Sequence, residues 1–275
     1  MRELIVESSA SHWKDFELLG RLNAAQRRLG LYVGQQPGGW LIARETVTAS
    51  SSEITWPSDC AKPIYLEEVT SGRPVPFSTA VQDRRVSRLA GTTLYSGAVE
   101  AYFKRKTIVV NQDDYSESCY LWYQMRVPDL HVGTADAGGA ASITLDDTDG
   151  VDSSEGFGAK QEADYYNGVE IQVVEGTGAG AADTITDYTA ARVATVTGTY
   201  SNDSDYGTIS MLPEECHELI YYEAALAALS KPAAAVDPKY FEYLGAIVQG
   251  LRREFESWIS SHVVGTARTR ITEID

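Results

Sequence analysis

The sequence predicts an α+β protein with helices near both ends, a β block between them and an all-β module inserted behind that block. Apolar residues recur at helical spacing in residues 11–30 and again after Leu212. Short runs rich in β-branched and aromatic residues fill Trp40 to Pro128. A sharp change in composition sets residues 131–210 apart. These observations predict a helical bundle, formed by an N-terminal helix and a C-terminal helical hairpin, that carries two β regions.

The first predicted element is a helix over roughly residues 11–30. Serines that precede it offer N-caps, and Gly30 is predicted to close it in a left-handed cap. Its apolar stripe consists of Leu18, Leu22, Ala25 and Leu29, and the candidate caps are Ser8, Ser9 and Ser11.

The β block follows as short strands separated by Ser, Gly, Pro and Asp. Residues 81–89 interrupt it with what is predicted to be a helical turn. The predicted strands are 40–48, 53–56, 63–69, 74–77, 98–103, 107–111 and 119–127.

Residues 131–210 form what we call the island. It holds 14 acidic residues against two basic ones, and 12 of the 23 glycines of the chain. So sharp a break marks a separate module inserted into a host domain. Its runs alternate apolar and polar residues at period two, which predicts a small antiparallel sandwich or barrel. Gly176, Gly178 and Gly180 lie between two strand-like runs and predict a hairpin tip.

A helical hairpin is predicted after the island. Pro213 followed by two glutamates suits a first helical turn, and Asp237 is predicted to cap a second helix that starts at Pro238. Residues 263–275 remain as an extended tail: a loose terminus or an arm that adds to a partner. The second helix carries an apolar seam of Phe241, Leu244, Val248, Leu251, Phe255 and Trp258.

Charge and cysteine content narrow the class of protein. A net charge of −16 argues against tight nucleic-acid binding, which needs clustered Lys and Arg. Three scattered cysteines form no disulfide framework, so we expect either a reducing compartment or thiols packed in the core. No apolar run approaches the roughly 20 residues that span a bilayer, and no signal peptide is recognisable. We therefore expect a protein made in the cytoplasm that does not enter a membrane.

No motif for catalysis or for a cofactor is present. The sequence has no Gly-x-Ser-x-Gly elbow, no His-Glu-x-x-His and no Walker loop, and the glycine run 176–180 lacks a following Lys and helix. The four histidines have no ligand spacing and are expected at the surface or as caps. We expect neither an enzyme nor a cofactor.

One acidic turn, residues 145–152, is a weak candidate for a hard cation, because clustered carboxylates suit calcium. The same residue types are also ordinary turn formers. The candidate ligands are Asp146, Asp147, Asp149 and Asp152.

Two basic clusters interrupt the β block. Both are expected to be solvated turns, and the alternative is a contact with another subunit or with DNA. They consist of Arg84, Arg85 and Arg88, and of Lys104, Arg105 and Lys106.

With these elements in place, the chain resembles the head-to-tail adaptor, or head-completion, proteins of short-tailed and related bacteriophages. Three stretches carry the resemblance: RLNAAQRRLG (21–30), ITWPSDCAKPIYLEEVTSGRPVPF (54–77) and YSGAVEAYFKRKTIVVNQDDYSESCYLWYQMRVPDL (95–130). In this family the last stretch leads to a Leu-Pro helix, which here arrives at residue 212, after the island. The family pattern therefore covers residues 1–130 and 211–262 as the host domain, with 131–210 inserted.

The resemblance implies a virion protein at the junction of capsid and tail. Such adaptors form a ring, generally of twelve copies, beneath the portal protein, and they extend the DNA channel toward a tail or nozzle protein. Double-stranded DNA passes through without sequence-specific binding, and no membrane is involved. The C-terminal arm commonly engages the portal, a role that would fall to Arg268, Arg270, Ile271 and Ile274.

A carbohydrate-binding or adhesion module of a phage particle is the alternative. In this interpretation the Tyr-rich strands of the island hold sugar rings, which requires aromatic side chains exposed on one sheet face.

Overall fold

The fold is described here from a computed structural model. It describes residues 4–5, 13–36, 40–78, 99–112, 114–147, 158–230 and 237–266, with side chains up to residue 261. The predicted α+β class is confirmed, since helices lie before and after two β regions whose sheets are antiparallel. The chain divides into two compact units. We call Leu41–Arg126 the β unit, and Met1–Trp40 with Val127–Asp275 the helix–sandwich unit.

The β unit contains two three-stranded antiparallel sheets, with strand orders β1-β6-β3 and β2-β5-β4. Both sheets contribute to one core, in which Leu66 and Leu121 come from the first sheet and Ile54 and Ile108 from the second. The strands are β1 (Ile42–Thr48), β2 (Glu53–Thr55), β3 (Cys60–Glu68), β4 (Ala101–Lys104), β5 (Thr107–Val110) and β6 (Ser118–Met125).

The prediction of a strand at 74–77 is wrong. Two prolines in this segment lack backbone N–H groups, so only isolated bridges form, at Pro74 and Phe77. The helical turn predicted at 81–89 lies outside the described residues.

The island folds as the predicted antiparallel sandwich, here called the sandwich. Two four-stranded sheets, ordered β11-β10-β14-β7 and β12-β13-β9-β8, share one core. Ile171 and Val173 enter that core from the first sheet and Ile143 and Ala194 from the second. The strands are β7 (Val132–Thr134), β8 (Ala137–Gly139), β9 (Ser142–Thr144), β10 (Glu170–Glu175), β11 (Ala182–Thr184), β12 (Asp187–Tyr188), β13 (Val193–Thr195) and β14 (Asp205–Thr208).

The glycine run forms the predicted hairpin tip between β10 and β11. Gly176, Gly178 and Gly180 have φ angles of 80°, 89° and 85°, which favour glycine. A Cβ at Gly176 would also lie 1.8 Å from the carbonyl oxygen of Asp203. The tip therefore requires glycine for both its turn and its close packing.

The chain enters and leaves the sandwich at adjacent points. β7, the first strand, pairs with β14, the last. Just beyond the paired segment, the backbone N–H of His131 donates to Thr208 Oγ1 at 2.7 Å, and that of Thr208 donates to the carbonyl oxygen of His131 at 2.9 Å. The two compact units divide the chain differently from the predicted domains, whose boundaries at 130/131 and 210/211 stay a prediction.

Three helices are described: α1 (Asp15–Gln35), α2 (His217–Leu229) and α3 (Pro238–Thr266), with a 3-10 turn at Glu214–Cys216 ahead of α2. The start of α1 differs from the prediction. Its N-cap is Lys14, whose backbone N–H donates to Glu17 Oε2 at 3.2 Å. Ser8, Ser9 and Ser11, the predicted caps, lie outside the described residues.

The prediction that Gly30 ends α1 is wrong, because the helix continues to Gln35. Gly30 serves close packing instead. A Cβ at this position would lie 2.7 Å from Val127 Cγ2, so the absence of a side chain lets the segment after β6 approach the helix.

The three helices share one core. Leu18 of α1, Ala228 of α2 and Leu244 of α3 belong to the same buried cluster, and Tyr32 meets Phe255 with ring centroids 6.2 Å apart. These contacts make α1 and α3 run in the same direction, with α2 antiparallel to both. The antiparallel hairpin of the last two helices is thus confirmed.

The predicted cap and seam of α3 are confirmed in most details. Asp237 Oδ1 accepts the backbone N–H of Lys239 at 2.9 Å. Leu244, Val248 and Phe255 are buried, whereas Phe241, at the start of the seam, is 36% exposed. The apolar spacing therefore marks a real contact face whose first residue remains available at the surface.

Candidate interaction surfaces

One face of the sheet β1-β6-β3 carries a compact array of exposed side chains. Strand register places Arg44 beside Trp122 and Trp122 beside Tyr65, so these three form a row across the sheet. Cross-strand partners point to the same side. We call this surface the aromatic face; its members are Ile42, Arg44, Thr46, Lys62, Ile64, Tyr65, Glu67, Tyr120, Trp122 and Gln124.

Trp122 lies at the centre of the aromatic face. The guanidinium carbon of Arg44 lies 4.6 Å from the ring centroid of Tyr120 and 5.4 Å from that of Trp122. Trp122 is 37% exposed and Tyr65 is 40% exposed. The opposite side of β6 presents Leu121 to the core. Trp, Tyr and Arg are the residue types that most often dominate protein interfaces.

The sequence contained part of this signal. Residues 118–125 alternate, and the alternation separates Trp122 from the buried Cys119, Leu121 and Tyr123. Placing Arg44 and Tyr65 beside Trp122 requires the pairing of three strands that are distant in the chain, which the sequence does not contain.

The outer face of the sheet β11-β10-β14-β7 has a different character. Val174, displaced by a β-bulge between Val173 and Glu175, is 69% exposed, and Val132 on the edge strand is 40% exposed. Val174 lies next to Glu175, whose cross-strand partner is Asp205, and Val132 lies in the row with Gly207 and Gln172. We call this surface the acidic face; its members are Val132, Glu170, Val174, Glu175 and Asp205.

The tyrosines of the island lie inside it. Tyr166, Tyr188, Tyr200 and Tyr206 are buried and Tyr165 is half-buried, so the predicted exposed sugar-binding face on the island is wrong. The hydroxyl groups of these tyrosines have partners within the sandwich and at its base. Tyr188 donates to the carbonyl oxygen of Lys160, Tyr200 donates to Asp183, Tyr206 accepts the N–H of Asp146, and Tyr165 accepts that of Asp129.

Burial has an electrostatic consequence for these hydroxyl groups. Loss of solvation is the largest cause that raises the pKa of Tyr166, Tyr188 and Tyr200 above the ordinary value for tyrosine. The hydroxyls therefore stay protonated at neutral pH, and those of Tyr188 and Tyr200 serve as hydrogen-bond donors.

The acidic turn proposed as a cation site is only partly described. Asp146 and Asp147 lie close together with Asp136, which the sequence interpretation missed. Arg192 reaches the same carboxylates, with Nη2 at 3.1 Å from Asp136 and 3.6 Å from Asp147. Asp149 and Asp152 lie outside the described residues. The arginine supplies positive charge where the prediction placed a metal ion.

The basic cluster Lys104, Arg105 and Lys106 forms the turn between β4 and β5. All three side chains are exposed, and Lys104 Nζ lies 2.9 Å from Glu53 Oε1. This agrees with the expectation of a solvated turn. The other predicted basic contacts, Arg84, Arg85 and Arg88, lie outside the described residues, as do the arm residues Arg268, Arg270, Ile271 and Ile274. The prediction that the extended tail begins at residue 263 is wrong, because α3 continues to Thr266.

A cleft of about 180 Å³ opens between the three helices. Glu223 of α2 is buried there, accepts a hydrogen bond from Arg252 of α3 and lies 3.8 Å from Arg28 of α1. This hydrogen bond and the attraction of Glu223 raise the pKa of Arg252. The carboxylate of Glu223 thus links all three helices, and we interpret these contacts as structural ion pairs.

The three thiols are buried, as predicted. Burial raises the pKa of Cys60 and of Cys216 to about 12, so neither thiol forms a reactive thiolate at neutral pH. Of the histidines, His217 lies at the start of α2 with Nε2 3.0 Å from the carbonyl oxygen of Leu212. His131 is buried beside Tyr206, which corrects the expectation of a surface or capping position.

Comparison with protein-family models gives no match, and comparison with curated proteins gives none either. Among solved structures, the chain is similar to the flagellar hook junction protein FlgK from Burkholderia pseudomallei at 8% identity and a TM-score of 0.13. The match covers 94% of this chain and 60% of that one, and a score this low supports no inference. Among the described helices, none combines the length and apolar character that crossing a membrane requires.

Proposed function

We propose that this protein is a structural virion protein that forms a ring beneath the portal. The ring joins the capsid to the tail and extends the DNA channel for genome retention and ejection. The observation that carries the proposal is the order and packing of the helices. α1 precedes both β regions, yet it shares one core with α2 and α3, which follow them. This is the order of elements that the resemblance to the adaptor family implies.

The distribution of charge supports a role beside DNA without tight binding to it. The helix–sandwich unit holds 13 basic and 29 acidic residues, whereas the β unit holds ten of each. Acidic surface repels the DNA backbone. A channel wall of this composition would let packaged DNA slide past.

The helices also offer a rigid element for assembly. α3 has 29 residues, which corresponds to about 43 Å. Exposed aromatic side chains stand on the helical hairpin: Tyr221 at 49%, Phe241 at 36% and Tyr243 at 61%. Exposed tyrosines on a rigid helix suit contacts between proteins, because a large contact area is gained at little entropic cost.

A truncation tests the proposal. A variant that ends at residue 262 should keep the helical circular dichroism and cooperative unfolding of the full chain, because it removes only residues 263–266, the end of α3, from the described helices. It should lose binding to the portal protein of the same virus in a co-purification assay. If the truncated variant binds portal as well as the full chain does, the arm is not the portal-binding segment. If the full-length chain neither binds portal nor occurs in purified particles, the proposed function is wrong.

The alternative of a carbohydrate-binding module loses its basis in the sequence. That interpretation needed exposed tyrosines on the island, and the five tyrosines there are buried or half-buried.

A further inference from the structure

We propose that the aromatic face of one copy docks on the acidic face of a second copy of this chain. The inference rests on the proposed function, since it identifies one of the subunit contacts that a ring requires. Both faces are outer sides of antiparallel sheets, and they lie in different compact units of the chain.

The composition of the aromatic face favours contact with another protein. Its central row is Arg44, Trp122 and Tyr65, with Tyr120 beside Trp122 on the same strand. Trp, Tyr and Arg near the centre of a surface are typical of the residues that dominate binding free energy. Ile42 and Ile64, 43% and 46% exposed, extend the apolar area. Exposed aromatic and apolar side chains gathered on one side of a sheet indicate a contact with a partner.

The charges of the two faces are complementary. Arg44 lies over two aromatic rings, and no described carboxylate lies within ion-pair distance of Arg44 or of Lys62. Within the same described residues, Glu170 and Glu175 of the acidic face have no cationic partner either. Each face therefore presents charges for which the described residues supply no ion-pair partner, and the signs of these charges are opposite.

The exposed apolar residues of the two faces are also complementary. Val174 is the most exposed of the large hydrophobic residues described, and it stands on the acidic face with Val132. Two exposed valines on a face that carries carboxylates match an aromatic centre on a face that carries cations. Contact between the faces would bury Trp122 and Val174 and would pair Arg44 and Lys62 with acids.

Other occupants fit the aromatic face less well. DNA requires several clustered cations, and this face has two, Arg44 and Lys62, together with the acid Glu67. A neutral sugar could stack on Trp122 but would leave the two cations without partners. An acidic surface with apolar residues satisfies both features, and this chain carries one.

Because the two faces differ, the contact joins unlike surfaces of neighbouring copies. Such a contact generates a closed ring or an open filament, depending on the rotation between subunits. A ring is the outcome that the proposed function requires.

Charge exchange in the full chain tests the proposal. The variant Arg44→Glu/Lys62→Glu reverses the aromatic face, and Glu170→Lys/Glu175→Lys reverses the acidic face. Self-association is measured by sedimentation velocity over a range of protein concentrations. Each double variant should weaken self-association at least about tenfold, because like charges then oppose each other. An equimolar mixture of the two variants, and a single chain that carries all four substitutions, should both regain association.

The control is Lys104→Glu/Lys106→Glu, which makes the same change of charge elsewhere in the β unit and should leave association unaltered. Circular dichroism and thermal unfolding confirm that each variant is folded, and Trp122→Ala provides an uncharged test that should also weaken association. Restored association in the mixture supports the proposal. The proposal is overturned if both double variants associate as the wild type does or if the control loses association equally. It is also overturned if the mixture does not recover association or if the wild-type chain stays monomeric.

Portal binding separates this inference from the proposed function. If the wild-type chain binds portal while the double variants still associate normally, the docking surface is wrong and the proposed function stands. If Trp122→Ala abolishes binding of a neutral oligosaccharide such as cellohexaose and leaves self-association intact, the face binds sugar and the inference fails.

Discussion

The tyrosines of the sandwich are buried or half-buried, whereas the β unit buries Tyr115 and Tyr123 but exposes other aromatic side chains. In the sandwich, Tyr188 and Tyr206 are buried with their hydroxyls bonded to the backbone, and Tyr200 donates to Asp183. In the β unit, Tyr65 and Trp122 stand on the outer face. A buried hydroxyl without a partner is costly, so tyrosine enters a core where backbone groups or carboxylates can meet it. Tyrosine content alone therefore does not identify a binding surface.

The two compact units also differ in charge. The β unit is neutral, and the helix–sandwich unit carries the whole net charge of −16. Like charge keeps copies of the acidic surface apart, whereas a neutral unit with an exposed aromatic face can approach it. The difference between the units therefore favours contact between unlike parts of neighbouring copies.

Removal of the sandwich should have the largest effect on this comparison. A variant in which residues 132–207 are replaced by a short Gly-Ser linker should keep the helices and the β unit folded, because His131 and Thr208 are hydrogen-bonded neighbours. Far-UV circular dichroism should retain the helical signal, and thermal unfolding should remain cooperative. Loss of cooperativity would mean that the sandwich is integral to the remaining fold.

Cavities in the two cores should have the next largest effect. Leu121→Ala in the β unit and Ile171→Ala in the sandwich remove fully buried side chains, and each should lower the free energy of unfolding by about 3 kcal/mol. Hydrogen exchange should show the loss of amide protection chiefly in the region that carries the substitution. Val174→Ala, at an exposed position, should change stability by less than about 0.5 kcal/mol and serves as the control.

A matched pair of tyrosine substitutions tests the inside-outside difference directly. Tyr200→Phe removes a buried hydroxyl that donates to Asp183, and we expect a loss of about 1 to 2 kcal/mol in urea unfolding. Tyr65→Phe, at a 40% exposed position, should cost less than about 0.5 kcal/mol. Equal effects would remove the distinction between the two regions.

Acid sensitivity should be the smallest effect. Hydrogen bonds from Thr197 and Tyr200 lower the pKa of Asp183. For Glu68 of the β unit, burial by itself raises the pKa, but hydrogen bonds from Ser71, Arg73 and Tyr115 outweigh it, so the pKa is lowered.

A carboxyl group whose pKa is lower in the folded state stabilises the protein above its unfolded pKa of about 4, and this contribution is lost as the pH falls through the folded value. The midpoint temperature of thermal unfolding should therefore decrease as the pH is lowered below about 4. Asp183→Asn should reduce the pH dependence of the stability of the sandwich. Glu68→Gln should reduce the pH dependence of the stability of the β unit. If the midpoint temperature of a variant depends on pH as steeply as that of the wild type, the substituted carboxyl group does not contribute to the acid sensitivity.

Local patterns allowed much of the fold to be predicted. Asp237 caps α3, the glycine run forms a hairpin tip, and alternation in the island marks a sandwich, since each depends on residues near in sequence. Features that depend on distant neighbours were missed. Gly30 belongs inside α1 because Val127 packs on it, and Arg192 meets Asp136 across the sandwich.

The aromatic face was missed for the same reason. Trp122 could be assigned to one side of β6 by alternation, but its row with Arg44 and Tyr65 exists only once β1 and β3 pair with β6. The aromatic face therefore depends on which strands pair, and this pairing is not contained in any local stretch of the sequence.

The burial of all three cysteines has a practical consequence for work on this chain. Since Cys60, Cys119 and Cys216 are shielded, a single cysteine introduced at an exposed position such as Thr46 becomes the one readily labelled thiol among the described residues. A maleimide dye attached there would report the surroundings of that sheet surface by fluorescence, without first removing any native sulfur.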